Sequence, residues 1–398
     1  MRLVYVATEP VTAYRLLDGQ LGYMQRQGFD VTVVTSPGEL LLRTAQREGV
    51  QARAVPMTRD VSPGQDVRAL YRLTALLREL KPTIVNAGTP KAGLLGVAAA
   101  RLAGVPVVVY LLRGLRFEGA RGAKRLLLAG TEHLAAGLAH RVFANSESLR
   151  QRFTSLGCAS PERVWVPCSG SSNGVDVQRF LPNEARRAWA LDERRRRALS
   201  PEDIVVGFVG RFTSDKGIVA LVQAFRIASE QEPRLRLLLV GDHDDSDPLP
   251  SGVAEFLRSD SRVSTTGFVD EPAPYYGLMD LFVFPSLREG FPNAPLEAAA
   301  SEVPVIAFRA TGTVDAVVDG QTGALLAAGD VDLLSREILR YAADPELRAR
   351  QGRAGRRRVE ASFDRELVWQ ALEGEYRRLV ALAGVKSEAF RAFGSGSR

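Results

Sequence analysis

The sequence predicts an α/β protein built from two doubly wound parallel sheets, and three observations lead to this fold class. The chain has 398 residues, which is more than one hydrophobic core usually organises, so two domains are expected. Short β-branched runs alternate with longer segments of helical spacing. The strand-like runs are apolar along their whole length, which is typical of parallel strands covered by helices on both faces.

The first half of the chain contains seven strand candidates, most of them separated by helical patterns. The segment 66–80 shows the helical spacing well, because Leu70, Leu73 and Leu77 share one face. Strands are predicted at 3–7, 31–35, 52–56, 83–86, 107–111, 142–144 and 164–166. The apolar run 92–112 is long enough to imitate a membrane span, but Gly104 and Pro106 break it. It is therefore predicted to be a buried helix followed by a buried strand.

A second α/β unit follows the polar, Arg-heavy stretch 186–203, in which residues 194–197 are predicted to be a solvated surface loop. Strands are predicted at 204–209, 235–240, 263–265, 281–284 and 305–307, and helices at 330–343, 345–361 and 365–383. The predicted domains are 1–178 and 179–364, with an irregular hinge near 169–182 that is rich in Gly, Ser and Asn. Residues 365–385 are expected to form a helix that packs back on the first domain, and 386–398 a disordered tail.

Composition excludes several classes of function. The chain has 52 Lys+Arg and 46 Asp+Glu, and the resulting charge of +6 permits an anionic partner without choosing one. The two cysteines, Cys158 and Cys168, cannot build a disulfide framework or a cysteine-rich metal site. The cations do not alternate with aromatic residues as in single-strand binding platforms, so no nucleic-acid partner is expected. The first residues resemble a strand rather than a signal peptide, and we expect a cytoplasmic protein.

The densest chemical signal is the segment 285–297, PSLREGFPNAPLE. A strand leads into a loop with Glu289 and Gly290, and a helix that carries Glu297 is expected to start near Asn293, with Asn293 as its cap. The free N–H groups and the positive dipole end of that helix form an anion site, and the carboxylates could accept hydrogen bonds from sugar hydroxyls. A capped helix with two solvated glutamates is the alternative from this segment alone.

The second signal is the segment 207–217, GFVGRFTSDKG. Arg211 and Lys216 follow a buried strand, where Arg can fork onto a diphosphate and Lys can act as a point charge. The segment lacks the glycines and the Lys-Ser/Thr ending of a Walker loop, and two surface cations near a turn remain an alternative. The only candidate metal cluster, residues 242–245, is more simply a polar loop after a strand, so no metal site is predicted.

Arg211, Lys216-Gly217, Glu289 and Glu297, in this order and spacing, resemble the retaining glycosyltransferases of family 4. The resemblance extends over nearly the whole chain, and at 89–93, 112–116, 122–125 and 173–176 it is closest to the capsular and exopolysaccharide branch. It implies the GT-B fold, in which two facing Rossmann-like domains enclose a cleft. The N-terminal domain would bind the acceptor and the C-terminal domain the nucleotide-sugar donor.

The resemblance also implies roles for individual residues. Arg211 and Lys216 would hold the donor diphosphate and offset the charge that grows on it as it leaves, without a metal ion or other cofactor. Glu289 would meet hydroxyls of the transferred sugar, and these three are the implied catalytic residues. Glu297 would bind the ribose hydroxyls. The other implied donor-binding residues are Gly19, Val269, Gly290, Phe291, Asn293 and Ala294.

The acceptor half departs from the family pattern. Many members carry histidines just before the segment that matches 89–91, where this chain has Asn86 and Gly88. His133 and His140 lie seven residues apart on a predicted helix, where a shared structural face is expected. The leaving phosphate can take the acceptor proton in a retaining front-face reaction, so a missing histidine does not exclude transfer. The polar residues placed on the acceptor side, with solvated loop residues as the alternative, are Lys91, Arg113, Glu118 and Asn173.

Residues 119–141 combine cations with leucines. Arg121, Lys124 and Arg125 precede a leucine run, so the segment fits an amphipathic helix on an anionic bilayer, with Arg150 and Arg152 nearby. It equally fits a core-packing helix with an exposed basic end. Because the resembled enzymes use polyprenyl-diphosphate acceptors, we expect peripheral association with the inner face of the cell membrane.

The sequence therefore predicts a bacterial hexosyltransferase that moves a sugar from a nucleotide diphosphate, expected to be UDP, to a hydroxyl of a glycan. The anomeric configuration would be retained, and the acceptor would be linked to a polyprenyl diphosphate in capsule, exopolysaccharide or O-antigen synthesis. Two other functions fit the same architecture. A nucleotide-sugar 2-epimerase would need acid/base groups at the sugar carbon, which the scarcity of histidines disfavours. A non-catalytic assembly protein that keeps a nucleotide-sugar pocket is disfavoured by the intact charged residues.

Overall fold

The computed structural model describes residues 1–58, 61–181, 183–244 and 247–385. By internal packing the chain divides into two units. One comprises Met1–Asn173 together with the segment from Glu366 onward, and the other comprises Gly174–Arg365. The tail predicted at 386–398 lies outside the described residues.

The first unit is a parallel sheet of seven strands in the order β3-β2-β1-β4-β5-β6-β7. Its strands are β1 Arg2–Val6, β2 Asp30–Thr35, β3 Gln51–Ala54, β4 Ile84–Gly88, β5 Val107–Leu112, β6 Arg141–Ala144 and β7 Val164–Trp165. Its helices are α1 Pro10–Leu16, α2 Gln20–Arg26, α3 Glu39–Glu48, α4 Pro63–Leu80, α5 Pro90–Leu102, α6 Gly122–Leu138, α7 Glu147–Ser155 and α16 Arg365–Leu382. The run 92–112 is a helix followed by a strand, as predicted.

Helices cover both faces of this sheet. The core on one face takes its buried residues from α4, α5 and α6, and the core on the other face from α1, α2, α3 and α16. Helix α16 contributes Tyr376, which is fully buried and lies against Phe29 and Phe143. The C-terminal helix is therefore part of the core of the first unit.

The second unit is a parallel sheet of six strands in the order β10-β9-β8-β11-β12-β13. Its strands are β8 Ile204–Val209, β9 Leu235–Val240, β10 Val263–Thr265, β11 Leu281–Phe284, β12 Val305–Phe308 and β13 Gly323–Leu326. Its helices are α8 Glu184–Arg196, α9 Ile218–Gln231, α10 Ser251–Ser259, α11 Ala273–Tyr276, α12 Asn293–Ala300, α13 Thr313–Ala316, α14 Val331–Ala343 and α15 Pro345–Ser362. Two doubly wound α/β units confirm the predicted fold class.

The prediction of a solvated surface loop at 194–197 is wrong, because helix α8 extends to Arg196 and Arg197 is its C-cap. Arg194 donates hydrogen bonds to the carbonyls of Leu278, Ser200 and Asp203, so its guanidinium ties the helix to the unit. Arg197 pairs with Glu193, and only 16% of its side chain is exposed. These two arginines therefore have structural roles. The sequence pattern does not show this, because α8 lacks the apolar stripe that marks a packed helix.

Candidate active site

The two chemical signals of the sequence are the loops that follow β8 and β11. Strand β8 pairs with β9 on one side and with β11 on the other, so the chain order reverses at β8 and β11. At such a switch point the connections leave in opposite directions, and a crevice opens at the carboxyl ends of the strands. The segments 210–217 and 285–290 begin at this crevice.

A glycine allows these two loops to touch. Gly217 has a φ of +76° and precedes α9, and a Cβ at this position would lie 2.0 Å from the carbonyl oxygen of Pro285. The backbone N–H of Leu287 also donates to the carbonyl of Asp215, at 2.9 Å. The loop after β8 is therefore fixed against the loop after β11 by backbone contacts.

This contact brings Lys216 and Glu289 together. Lys216 Nζ donates to Glu289 Oε1 at 2.5 Å, and the exposed fractions of the two side chains are 22% and 11%. Ser286, which is fully buried, donates from Oγ to the same carboxylate oxygen at 2.7 Å. Lys216 Nζ also lies 5.8 Å from the centre of the Phe284 ring. A cation and a carboxylate are thus held in a half-buried, hydrogen-bonded pair at the switch point.

Arg211 stands apart from this pair. Its side chain is 56% exposed and forms an ion pair with Asp244, which follows β9. His243, in the same polar loop, packs edge-on against Phe212. In the described ranges no group of three or more His, Cys, Asp or Glu side chains could hold a metal ion, and Asp245 of the predicted polar loop lies outside them.

The prediction that Asn293 caps its helix is wrong. Asn293 is the first residue of α12, and the cap position is Pro292, whose side chain forms no capping hydrogen bond. Glu297, one turn further, accepts a hydrogen bond from the Tyr276 hydroxyl at 2.8 Å. Burial raises the pKa of Glu297, while the Tyr276 hydrogen bond and the charge of Arg179 oppose this shift. Neither glutamate of the motif is a freely solvated carboxylate.

Other segments of the second unit contact these loops. Gly312, after β12, has a φ of +77°, and a Cβ there would lie 2.3 Å from the carbonyl oxygen of Gly290. Phe291 lies against Phe363, with 5.5 Å between ring centres, and Ala294 packs on the core. The Gly267 turn that leads to Val269 forms a bridge with Gly241, at the end of β9. The sequence motifs do not indicate the roles of Ser286, Tyr276 and Gly312 or the pairing of Asp244 with Arg211, because these contacts depend on the strand order.

The remaining donor-side residue, Gly19, lies in the first unit at the start of α2. It has a φ of +75°, and its N–H donates to Glu48 Oε1 at 2.9 Å. The N–H of Gly22 donates to the other oxygen of the same carboxylate, at 3.0 Å. The Glu48 carboxylate therefore already accepts hydrogen bonds from N–H groups at the N-terminus of α2.

The four residues placed on the acceptor side have separate partners. Lys91 Nζ donates to Asp66 at 2.6 Å, and Glu118 accepts from Arg152 at 2.7 Å. Asn173 accepts from Trp369 Nε1 at 2.8 Å and donates to the carbonyl of Asp18 at 3.0 Å. Arg113 donates to Ser172 Oγ at 2.8 Å, and burial lowers the pKa of its guanidinium to about 10, so it remains charged at neutral pH.

Helix α6 has an exposed basic and apolar start, as expected of a membrane-surface helix, and buried residues further along, as expected of a core helix. Arg121, Lys124 and Arg125 are exposed, as are Leu126 and Leu127, whereas Glu132, Ala135 and Ala136 further along the helix are buried. The shared helical face predicted for His133 and His140 is wrong, because α6 ends at Leu138. His140 instead accepts a hydrogen bond from the N–H of Val108. Among the described helices, none is long and apolar enough to cross a bilayer.

Two parallel α/β sheets, with Lys216 and Glu289 paired at the switch point of the second, are consistent with the GT-B glycosyltransferase class, and comparisons with known proteins agree. Residues 18–169 match the family model of the glycosyl transferase 4-like domain, and residues 191–358 that of the glycosyl transferases group 1. The chain therefore belongs to this glycosyltransferase family.

Two relatives extend the likeness. The capsular polysaccharide biosynthesis glycosyltransferase CapM of Staphylococcus aureus is 35% identical over 361 residues, which cover 91% of this chain and 93% of CapM. An Escherichia coli UDP-Gal:alpha-D-GlcNAc-diphosphoundecaprenol alpha-1,3-galactosyltransferase is 29% identical, over 75% of this chain and 77% of its own. The predicted resemblance to the capsular branch is confirmed.

Solved structures confirm the GT-B fold. The crystal structure of Anabaena Alr3699/HepE in complex with UDP and glucose has a TM-score of 0.79 to this chain at 20% identity, covering 95% of this chain and 100% of that one. Sucrose-phosphate synthase from Thermosynechococcus elongatus has a TM-score of 0.77 at 20% identity, covering 96% and 100%.

Proposed function

We propose that this glycosyltransferase moves a hexose from a UDP-sugar to a hydroxyl of a polyprenyl-diphosphate-linked glycan, in the synthesis of a bacterial capsule or related polysaccharide. The observation that carries the proposal is the hydrogen-bonded group Lys216, Glu289 and Ser286 at the switch point. The activities of the Staphylococcus aureus and Escherichia coli relatives support the polysaccharide and the lipid-linked acceptor. The Anabaena structure with UDP and glucose supports the donor class.

The charges at the switch point suit the departure of a diphosphate. Lys216 would bind a phosphate oxygen and offset the charge that develops when the sugar bond breaks, and Arg211 would add a second cation from the rim. Glu289 would accept a hydrogen bond from a sugar hydroxyl, and Glu297 from the ribose. With the acceptor on the same face as the leaving group, the departing phosphate takes the acceptor proton, and the configuration is retained.

Radiolabelled UDP-sugars and a lipid-linked acceptor extract provide the test. The wild-type chain should transfer label with retention, and Lys216→Ala, Glu289→Ala and Arg211→Ala should lose transfer while staying folded. Arg234→Ala is a matched control, since its ion pair with Glu232 also lies in the second unit but precedes β9, at the opposite edge of the sheet. Full turnover by a folded Lys216→Ala/Glu289→Ala double variant would refute the site. Conversion of donor without acceptor would indicate an epimerase instead.

The proposed reaction needs no metal ion, because protein cations take the place of a divalent ion on the diphosphate. Turnover in excess EDTA should equal turnover in magnesium. A loss of activity in EDTA that magnesium or manganese restores would contradict this part of the proposal.

The proposal includes peripheral association with an anionic membrane surface on the cytoplasmic side. Leu126 and Leu127 on α6 are 75% and 57% exposed, and Arg121, Lys124 and Arg125 precede them. Such a helix end can place leucines among acyl chains and cations at lipid phosphates. Flotation with anionic vesicles should recover the wild-type chain but not the triple variant with Glu at the three cations. Equal recovery of both proteins would exclude this surface.

A further inference from the structure

Arg179 lies in the stretch that was predicted as a hinge, and the proposed reaction leaves it without a role. It belongs to a short 3₁₀ helix of the second unit, Val177–Phe180, which packs against α11 and α12. Asp176 caps this helix, because its carboxylate accepts from the backbone N–H of Arg179 at 3.2 Å. The 3₁₀ helix therefore holds Arg179 against the two elements that carry Tyr276 and Glu297.

Arg179 binds Glu271 through a forked ion pair. Its Nε lies 3.0 and 3.1 Å from the two carboxylate oxygens, and its Nη2 donates to Oε2. A forked pair of this kind fixes the planes of both groups. Glu271 Oε1 also accepts from the backbone N–H of Ala273, the first residue of α11, at 3.3 Å. Arg179 therefore holds the segment that leads from Val269 into α11.

A second contact joins the same elements. Phe180, the residue after Arg179, is buried and meets the ring of Tyr276 edge-on, with 5.8 Å between ring centres. Tyr276 is fully buried, and its hydroxyl donates to Glu297 at 2.8 Å. The ion pair and the ring contact thus both fix α11, and α11 carries the hydroxyl that binds Glu297.

The two charges of the ion pair act on Glu297 in opposite directions. Burial is the main cause of the raised pKa of Glu297, and the negative charge of Glu271 raises this pKa further. The hydrogen bond from Tyr276 and the positive charge of Arg179 lower the same pKa. A nearby cation favours the ionised form of a carboxyl group, and a nearby anion disfavours it.

Charged groups on the other elements around α12 have different partners. Helix α15 carries Arg356, whose guanidinium donates to the carbonyl of Ala300 at 2.6 Å. Helix α13 carries Asp315, whose charge acts on Arg358. Strands β11 and β12 consist of apolar residues alone. The forked ion pair therefore supplies the charges that act on Glu297 most directly.

We infer that Arg179 is a positioning residue of the nucleotide site, which acts through Glu271, through Tyr276 and through its own charge to keep Glu297 in place and negatively charged. The inference rests on the proposed function in one respect, which is that Glu297 accepts a hydrogen bond from the ribose. A merely structural ion pair would give the same effect when either partner is lost. The electrostatic role instead requires that loss of Arg179 and loss of Glu271 act on Glu297 in opposite directions.

Titration of Glu297 by NMR of isotope-labelled glutamate side chains tests the inference without a ligand, and Glu297→Gln assigns the signal. Arg179→Gln should raise the pKa of Glu297, and Glu271→Gln should lower it. Arg179→Lys keeps the charge and should restore a pKa near that of the wild type. Arg234→Gln breaks another forked pair of the second unit, with Glu232 before β9, and should leave the pKa unchanged.

UDP binding, measured by calorimetry over the same pH range, connects Glu297 to the nucleotide. Binding should begin to weaken at a higher pH in Arg179→Gln than in the wild type, and at a lower pH in Glu271→Gln. Shifts of the Glu297 pKa in the same direction, or no shift in either variant, would overturn the inference. If one variant fails to fold, the direction of the shift in the other decides. Opposite pKa shifts in a chain that binds no UDP would support the role of Arg179 and refute only the proposed donor.

Discussion

Gly217→Ala is the most direct test of how the active-site loops are held together. The substitution has two costs, the left-handed φ of +76° and a Cβ that would lie 2.0 Å from the Pro285 carbonyl oxygen. Gly320→Ala isolates the first cost, because Gly320 has a φ of +73° in the same unit and nothing within 4 Å of the added Cβ. The difference between the two variants therefore measures the contact between the loops.

The expected magnitudes follow from these geometries. A residue with a Cβ in the left-handed region costs about 1–2 kcal/mol, which applies to both variants. An unrelieved clash in a packed region adds about 1–3 kcal/mol, which applies to Gly217→Ala alone. For a domain of this size, 1 kcal/mol corresponds to about 2–4 °C in unfolding temperature, so Gly217→Ala should melt several degrees below Gly320→Ala.

Calorimetry measures the unfolding temperature of each variant, and sugar transfer is assayed on the same preparations. Gly217→Ala should lose both stability and transfer, because Lys216 is displaced from Glu289, whereas Gly320→Ala should lose stability only. If the two variants melt at the same temperature and transfer at the same rate, the loops can separate without cost. Gly217 would then have no part in positioning the Lys216–Glu289 ion pair.

Three more outcomes are expected. Ser286→Ala should lower kcat/KM about tenfold or more, because a hydrogen bond to a charged group contributes about 1.5–3 kcal/mol, whereas Ser214→Ala in the exposed part of the facing loop should not. Tyr276→Phe should raise the pKa of Glu297, because the lost hydrogen bond opposed the effect of burial. If the ionised Glu297 binds the ribose as proposed, UDP binding should then begin to weaken at a higher pH than in the wild type. An unchanged pH profile of UDP binding would contradict this. Asp244→Asn should tighten UDP binding at low salt by releasing Arg211, as a titration would show; weaker binding would mean that Asp244 positions the arginine.

Much of the fold could be predicted because its strands are buried on both faces. Runs such as 204–209 and 235–240 are apolar from end to end and bounded by polar turns, and their bounds agree with β8 and β9. Strand β13, with the sequence GALL, was missed because it contains no β-branched residue. Helix α8 was missed because its arginines are fixed by distant carbonyls, and no local pattern shows such contacts.

The site could be predicted only as two separate loops. Arg211, Lys216, Glu289 and Glu297 carry charges whose spacing is visible in the sequence. The pairing of Lys216 with Glu289 depends on β8 lying beside β11, and the pairing of Arg211 with Asp244 on the loop after β9. Strand order is a property of the folded sheet, so no spacing rule reveals it.

The two cations at the candidate site of the second unit are already paired with carboxylates. Lys216 and Arg211 are each neutralised by a carboxylate, so they do not form an open cationic patch. In the proposed function a diphosphate would have to take these cations from Glu289 and Asp244, so its binding would be an exchange of anions rather than a simple attraction. A phosphate that bound Lys216 would also release Glu289 Oε1 to accept another hydrogen bond. A hydroxyl of the sugar could then donate to Glu289 once the diphosphate is bound to Lys216. The hydrogen bond from Ser286 would keep the carboxylate in place.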